Sequence, residues 1–282
     1  MKTIVEILKL STEYLQKQGI SHARRQAEEI ISDALGLKRL QLYINFDRPV
    51  TEDELALCRG RLARRAKGEP LQYIHGEVQF HDCTIRVSPA VLIPRQETEI
   101  LVNKIYKQLL NLPLENSSLW DVCCGSGCIG IAMKKLLPAL KVTLSDVSNE
   151  ALLIAQENAR INNVDVEFLQ GDLLTPFQER KTQFLICNPP YIAEREYGNL
   201  DREVRNYEPR NALISGETGL EFYERLAKDL PARLLPHGKA WFEVGTGQGP
   251  ALIKLFNQPP WSKCEIEKDW SGHDRFFFLE IE

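Results

Sequence analysis

The sequence predicts an α/β fold, a mostly parallel sheet with helices on both sides, preceded by a small helical domain. Three observations carry this. From about Ser117 onward, short apolar runs alternate with helix-period segments, the pattern of successive βα units. Residues 1–70 carry helical periodicity throughout. Near the end, Cys264–Ile266 and Arg275–Ile281 are consecutive strand-like runs without a helix between them, which most simply form an antiparallel pair.

In the helical domain, Ala27, Ile30, Ile31, Ala34 and Leu35 repeat at helical spacing, and Gly36 is placed to end that helix. Thr51 followed by Glu54 has capping-box spacing, and Leu55, Cys58 and Leu62 then form an apolar stripe. The other faces of this helix carry Arg59, Arg61, Arg64, Arg65 and Lys67. Such a charged face is ordinarily solvated, the alternative being an electrostatic contact with an acidic or nucleic-acid-bound partner. Gly68-Glu69-Pro70 breaks the helix, and residues 71–93 read as a β-hairpin linker, with Tyr73, Val78, Phe80, Ile85 and Val87 set among Gly76, Asp82 and Pro89. Residues 94–282 form the α/β domain, its strands expected at Leu119–Val122, Val142–Leu144, Val166–Leu169, Phe184–Cys187 and Ala240–Val244, before the terminal pair. Ser148 is placed to cap a helix that buries Leu152, Ala155 and Ala159.

The 282 residues provide ample material for a core. A net charge of −4 argues against a protein that coats nucleic acid. No apolar run approaches the roughly 20 residues that span a bilayer, and the N-terminus lacks a signal-peptide core, so a cytoplasmic protein is expected. The seven cysteines then read as free thiols; Cys123, Cys124 and Cys128 are close in sequence but lack a CxxC pair or a nearby His, so no metal is expected.

Two strand ends carry the chemistry. Phe184–Cys187 stops at Asn188-Pro189-Pro190-Tyr191. Neither proline has an N–H, and the residue before each is pushed into an extended conformation, so the loop is stiff and rich in acceptors. Asn188 adds a side-chain carbonyl and Tyr191 a flat ring, a set suited to a planar group bearing an NH2. The bland alternative is a turn after a core strand.

The other strand end is the glycine-rich turn Cys123-Cys124-Gly125-Ser126-Gly127, preceded by Asp121. Gly125, Gly127 and Gly130 spell GxGxxG, with Asp146 about 20 residues on, as in a nicotinamide site. S-adenosylmethionine enzymes use the same place differently, and three features favour that methyl donor: Asp121 is placed to serve its ammonium, Asp172 ends the third strand where adenine would lie, and the terminal strand pair suits a methyltransferase sheet. Each acid alone reads as a strand-end turn residue. Nicotinamide stays open as the alternative.

Taken together, these motifs resemble the class I methyltransferases that carry an NPPY motif, and more narrowly the release factor glutamine methyltransferases of the PrmC/HemK family. The likeness runs through the helical domain, Gln72-Tyr73-Ile74-His75-Gly76-Glu77, Leu92-Ile93-Pro94-Arg95-Gln96-Glu97-Thr98-Glu99, the glycine turn, Asn188–Tyr191, Tyr207-Glu208-Pro209-Arg210-Asn211-Ala212-Leu213 and Gly219-Leu220. It implies a Rossmann-like, mostly parallel seven-stranded sheet with an antiparallel terminal strand, and methylation of the glutamine in the Gly-Gly-Gln loop of peptide chain release factors, leaving S-adenosylhomocysteine. It implies further that Gly125-Ser126-Gly127, with Cys123 and Cys124 before it, hold the methionine part of the donor, Asp146 its ribose, and Asp172 with Leu173 its adenine. Asn188 and the Pro189 carbonyl would hold the substrate amide, with Pro190 stiffening the loop and Tyr191 stacking. The family usually has glycine at the position of Cys123, so a side chain here must fit a bend that glycine makes freely. A monomer with no metal or membrane is expected. Rival readings are a nucleic-acid amino-group methyltransferase, which should show a basic groove, and a nicotinamide oxidoreductase.

Overall fold

The computed structural model describes Lys2–Glu282, and these residues form two compact units. One comprises residues up to Gly76 with Asp201–Tyr207; the other comprises Glu77–Leu200 and Glu208–Glu282.

The first unit is helical: α1 (Ile4–Lys17), α2 (Ala23–Ala34), α3 (Arg39–Ile44), α4 (Glu52–Ala66), α5 (Leu71–His75) and, from further along the chain, α9 (Arg202–Tyr207). Ala27, Ile30, Ile31, Cys58 and Leu62 of the expected stripes are buried and Ala34, Leu35 and Leu55 half-buried beside them, with Ile4, Ile7 and Leu15 of α1 completing this core. Gly36 ends α2 at φ +63°. The capping box forms as spaced: Thr51 Oγ1 accepts the Glu54 N–H at 3.3 Å and Glu54 Oε2 accepts the Thr51 N–H at 2.9 Å.

The arginine face of α4 differs from the solvated face expected. Arg65 is only 2 % exposed. Its guanidinium donates to the Glu69 carbonyl at 2.7 Å and pairs with Glu203 of α9. Arg61 pairs with Asp33 and Arg64 with Glu69. A buried guanidinium requires such partners, because desolvation of an unpaired charge is costly. Much of the positive charge on α4 is thus consumed inside its own unit.

The second unit begins with the hairpin β1 (Glu77–Phe80) and β2 (Cys83–Arg86). It is shorter than the expected 71–93. Leu71–His75 is helical instead, because Pro70 opens a turn that Gly76, at φ +81°, closes. The sheet strands are β3 (Ser118–Val122), β4 (Lys141–Asp146), β5 (Glu167–Gln170), β6 (Thr182–Cys187), β9 (Leu234–Glu243), β10 (Trp261–Lys268) and β11 (Asp274–Ile281), while β7 (Ile192–Ala193) and β8 (Ile214–Gly216) form a separate small pair. The sheet order is β10-β11-β9-β6-β3-β4-β5, parallel from β9 to β5, with β11 antiparallel to both of its neighbours. Helices α6 (Gln96–Leu109), α7 (Cys128–Leu136), α8 (Asn149–Ile161), α10 (Glu221–Asp229) and α11 (Gly249–Phe256) complete the unit.

Burial explains why the central strands read as unbroken apolar runs. Phe184, Leu185, Ile186 and Cys187 are all buried, as a parallel strand covered on both faces must be. Trp120 stacks on Phe177 with ring centroids 3.8 Å apart, and Phe242, Phe256 and Phe277 continue the core toward the antiparallel edge. Chain order reverses between β3 and β6, which opens a crevice beyond their carboxyl ends, where ligands of open α/β sheets bind.

Candidate active site

A cleft lies at that reversal. The β3 end contributes Cys123, Cys124, Gly125 and Ser126; the β4 end Asp146, Val147 and Ser148; the β5 end Gly171, Asp172 and Leu173; and the β6 end Asn188 and Pro190.

The turn after β3 is held by its own backbone and by Asp146. The Asp146 carboxylate accepts the Gly125 N–H at 2.8 Å and the Ser148 N–H at 2.9 Å, stitching the β3 turn to the start of α8. Burial nevertheless pushes its carboxyl up, against the hydrogen bonds from Ser148, Gly125 and Val147. Cys123 takes the left-handed bend, φ +59°, with a side chain where glycine would be free of strain. A side chain at Gly127 would be strained at φ +77°, and its Cβ would stand 2.8 Å from Leu144 Cδ2.

Asp121, expected near the donor's ammonium, is 0 % exposed beneath the turn and is not among the residues that line the cleft. Its Oδ2 accepts the Gly130 N–H at 2.8 Å, while Oδ1 has no hydrogen-bond partner among the described residues. Burial raises its carboxyl to about 7, with the Asp146 charge adding to the effect against the Gly130 N–H. Gly127, Pro189 and Tyr191 also fall outside the cleft lining; Tyr191 instead lines a neighbouring hollow with Gly245, Thr246 and Gln248. Asp172 is exposed at the rim and pairs with Arg225 at 2.5 Å.

Several lining residues escaped the sequence reading. Leu92, Pro94, Arg95 and Thr98 form one wall, and Asn211, Ala212 and Phe222 another. Motif strings containing Arg95 and Asn211 were visible, but nothing in them said that they share a cleft. Glu208, 5 % exposed, joins them: its carboxylate accepts the Ile93 N–H at 3.1 Å and an Arg95 N–H at 2.5 Å. The hairpin is latched to the same site by Asn158, fully buried, which exchanges bonds with Arg86 (2.7 and 3.0 Å) and donates to the Ser126 carbonyl at 2.9 Å.

Beside Asn188, in the next strand, stands Glu243, since Cys187 pairs with Phe242 in the parallel register. Glu243 is 2 % exposed and accepts the Thr98 hydroxyl at 2.6 Å; burial pushes its carboxyl up. Burial likewise raises the thiols of Cys124, Cys128 and Cys187 and the Tyr191 phenol, leaving neutral groups around Asn188.

Comparison with known proteins accords with this geometry. A PrmC N-terminal domain model matches residues 6–76 and a methyltransferase small domain model residues 96–203. Release factor glutamine methyltransferase from Chlamydia trachomatis serovar D is 43% identical over 276 residues, covering 98% of this chain and 93% of that protein. The chain belongs to the release factor glutamine methyltransferase family. A family member from Geobacter sulfurreducens is 38% identical over 273 residues, covering 97% of this chain and 95% of its own. Among solved structures, the hMettl16 catalytic domain in complex with MAT2A 3'UTR hairpin 6 superposes with a TM-score of 0.57 at 18% identity, covering 79% of this chain and 81% of that one. This last likeness is one of fold. No helix of the described residues is long and apolar enough to cross a membrane.

Proposed function

We propose that the protein transfers a methyl group from S-adenosylmethionine to the side-chain amide nitrogen of the glutamine in the Gly-Gly-Gln loop of peptide chain release factors. The observation that carries this is the meeting of two strand ends in one cleft: the glycine turn with Asp146 on one side and Asn188 with Pro190 on the other. The full-length relatives named for this activity support the substrate.

The residues fit such a donor. Gly125-Ser126 present backbone that a ligand can approach closely, Asp146 offers a carboxylate for ribose hydroxyls, and Leu173 with Phe222 offers apolar surface for a base. Asp121 beneath the turn has an unpartnered carboxyl oxygen, and a cationic ligand nearby would favour its ionised form. The donor supplies an electrophilic methyl on sulfonium. The chain's own contribution is to position the acceptor. Asn188 Oδ1 and the Pro189 carbonyl would accept the two amide hydrogens and turn the nitrogen toward the donor. As positive charge develops on that nitrogen, its N–H groups become stronger donors, so the same acceptors favour the transition state, and one of these protons passes to water once the methyl is transferred. The neutral, high-lying thiols nearby offer no nucleophile for a covalent intermediate.

This reading makes the protein a cytoplasmic partner of translation termination, with both halves of the cleft supplied by one chain. Its test is incubation with labelled S-adenosylmethionine and purified release factor, followed by peptide mass spectrometry. A methyl mass on the Gly-Gly-Gln glutamine is expected. Label in RNA with none in the release factor would overturn the assignment in favour of the nucleic-acid reading.

A further inference from the structure

The stiffness of the acceptor loop does not come from its prolines alone. Three loops come close together: the one after β6 that ends in Tyr191, the turn at Thr218-Gly219 between β8 and α10, and Gly245–Gln248 after β9. One side chain touches all three. Gln248 Oε1 accepts the Gly245 N–H at 2.8 Å, and its Nε2 donates to the Tyr191 carbonyl at 2.9 Å and to the Gly219 carbonyl at 3.1 Å. A primary carboxamide has one carbonyl acceptor and two N–H donors, and here each is used. Only one orientation of the amide satisfies the set, because the partners are an N–H on one side and two carbonyls on the other.

The neighbouring glycines are explained by the same clamp. A Cβ on Gly219, at φ +84°, would lie 2.6 Å from the Tyr191 carbonyl oxygen and 2.9 Å from Gln248 Nε2. A Cβ on Gly245 would lie 2.9 Å from Gln248 Oε1 and 3.2 Å from the Tyr191 ring. Both positions are buried, so neither clash has solvent to move into. The Gly219 turn is itself held from the far side by Glu221, whose carboxylate accepts the N–H groups of Thr218 at 2.7 Å and Gly219 at 3.0 Å.

We propose that Gln248 is a positioning residue for methyl transfer: its carboxamide fixes the Tyr191 carbonyl between the Gly219 and Gly245 turns, and thereby holds the Asn188–Tyr191 loop in the geometry that presents an acceptor amide. It rests on the function proposed above, but the clamp itself is a property of the three loops. Gln248 lies away from the donor cleft, so its loss acts on turnover and not on donor affinity.

Two variants and two readouts test this. Gln248→Met keeps the volume and removes all three hydrogen bonds. Its kcat with release factor should fall tenfold or more, as expected for a misplaced acceptor, while the dissociation constant of S-adenosylmethionine by calorimetry stays within twofold. The Gly245 amide should lose hydrogen-exchange protection in this variant. Gln248→Glu should behave like the methionine variant at pH 8, since a carboxylate repels the two carbonyls. As pH falls it should recover relative to wild type, because the protonated acid regains one donor. A Gln248→Met enzyme with kcat within threefold of wild type, or with unchanged exchange at Gly245, would overturn the proposal. If the wild-type protein itself leaves the release factor unmethylated, it is the functional reading that fails, and the exchange measurement still decides the clamp.

Discussion

Asn188 concentrates the chemistry in one side chain. It is half-buried at the tip of β6, it faces the cleft, and the loop around it is stiffened by Pro189 and Pro190. Replacement by Ala removes an acceptor that binds the transition state more strongly than the ground state. Asn188→Ala should therefore lower kcat by roughly 10²-fold with donor affinity little changed, and single-turnover methyl transfer at wild-type rate would contradict this. Asp146 separates from it cleanly. Asp146→Ala removes both the proposed ribose ligand and the bond that holds the Gly125 N–H, so donor affinity measured by calorimetry should fall at least tenfold. Strand-end position picks out both residues in the sequence. It does not distinguish them from Asp121, which the same reasoning assigned to the donor: Asp121 pairs with Leu144 and Ile186, so it lies two residues deeper in the sheet than Asp146 and Asn188, and there its carboxylate is buried.

The hairpin β1–β2 shows how a peripheral element serves a site it does not line. Its backbone is fastened to α8 by two side chains: Asn162 bonds the Thr84 N–H and carbonyl at 3.1 and 2.8 Å, and Asn158 bonds those of Arg86. Because Asn158 also holds the Ser126 carbonyl, the chain that runs from β2 into the Leu92–Thr98 wall is set against the glycine turn. Asn158→Ala would leave the buried Ser126 carbonyl unpaired, at about 1–3 kcal/mol, and would free the part-buried Arg86 N–H and carbonyl as well. Equilibrium unfolding in urea should show a loss of at least about 2 kcal/mol, with weaker donor binding in what remains folded. A variant as stable as wild type would mean that water replaces all of these bonds. The hairpin itself is readable from its alternation. Its latch is not, since Asn158 sits mid-helix among apolar positions and resembles any helix-surface asparagine until the fold buries it.

For the molecule as a whole, pH dependence follows from groups moved furthest from their usual range. Burial first, and the Asp146 charge second, raise Asp121 from 3.8 to about 7. In the unfolded chain this carboxyl ionises near its ordinary value, so its contribution to stability is present in full below about pH 4 and is lost as pH rises toward 7, on the order of a few kcal/mol. Asp121→Asn keeps an acceptor for the Gly130 N–H and has no charge to bury. It should narrow the stability difference between pH 5 and pH 8 seen for wild type in urea unfolding; an unchanged difference would show that Asp121 is not its source. Glu221 acts in the opposite sense. Burial would raise it, but hydrogen bonds from the Thr218 backbone and its own, and from the Thr218 and Ser215 side chains, hold it at about 2, so its contribution is present above its ordinary value of 4.5 and disappears as pH falls toward 2. The sequence by itself determined the strand order of appearance, the helical first unit, the cap at Ser148 and the two chemistry-bearing strand ends, because period, capping residues and prolines act over a few neighbouring residues. Tertiary structure alone decided that Glu208 ties Arg95 to the cleft wall, that Arg65 turns inward to Glu203, that Asp121 lies beneath the turn, and that Gln248 gathers three loops. Those outcomes depend on which distant segments meet and on what burial then demands of a charge or an amide, and no local pattern encodes either.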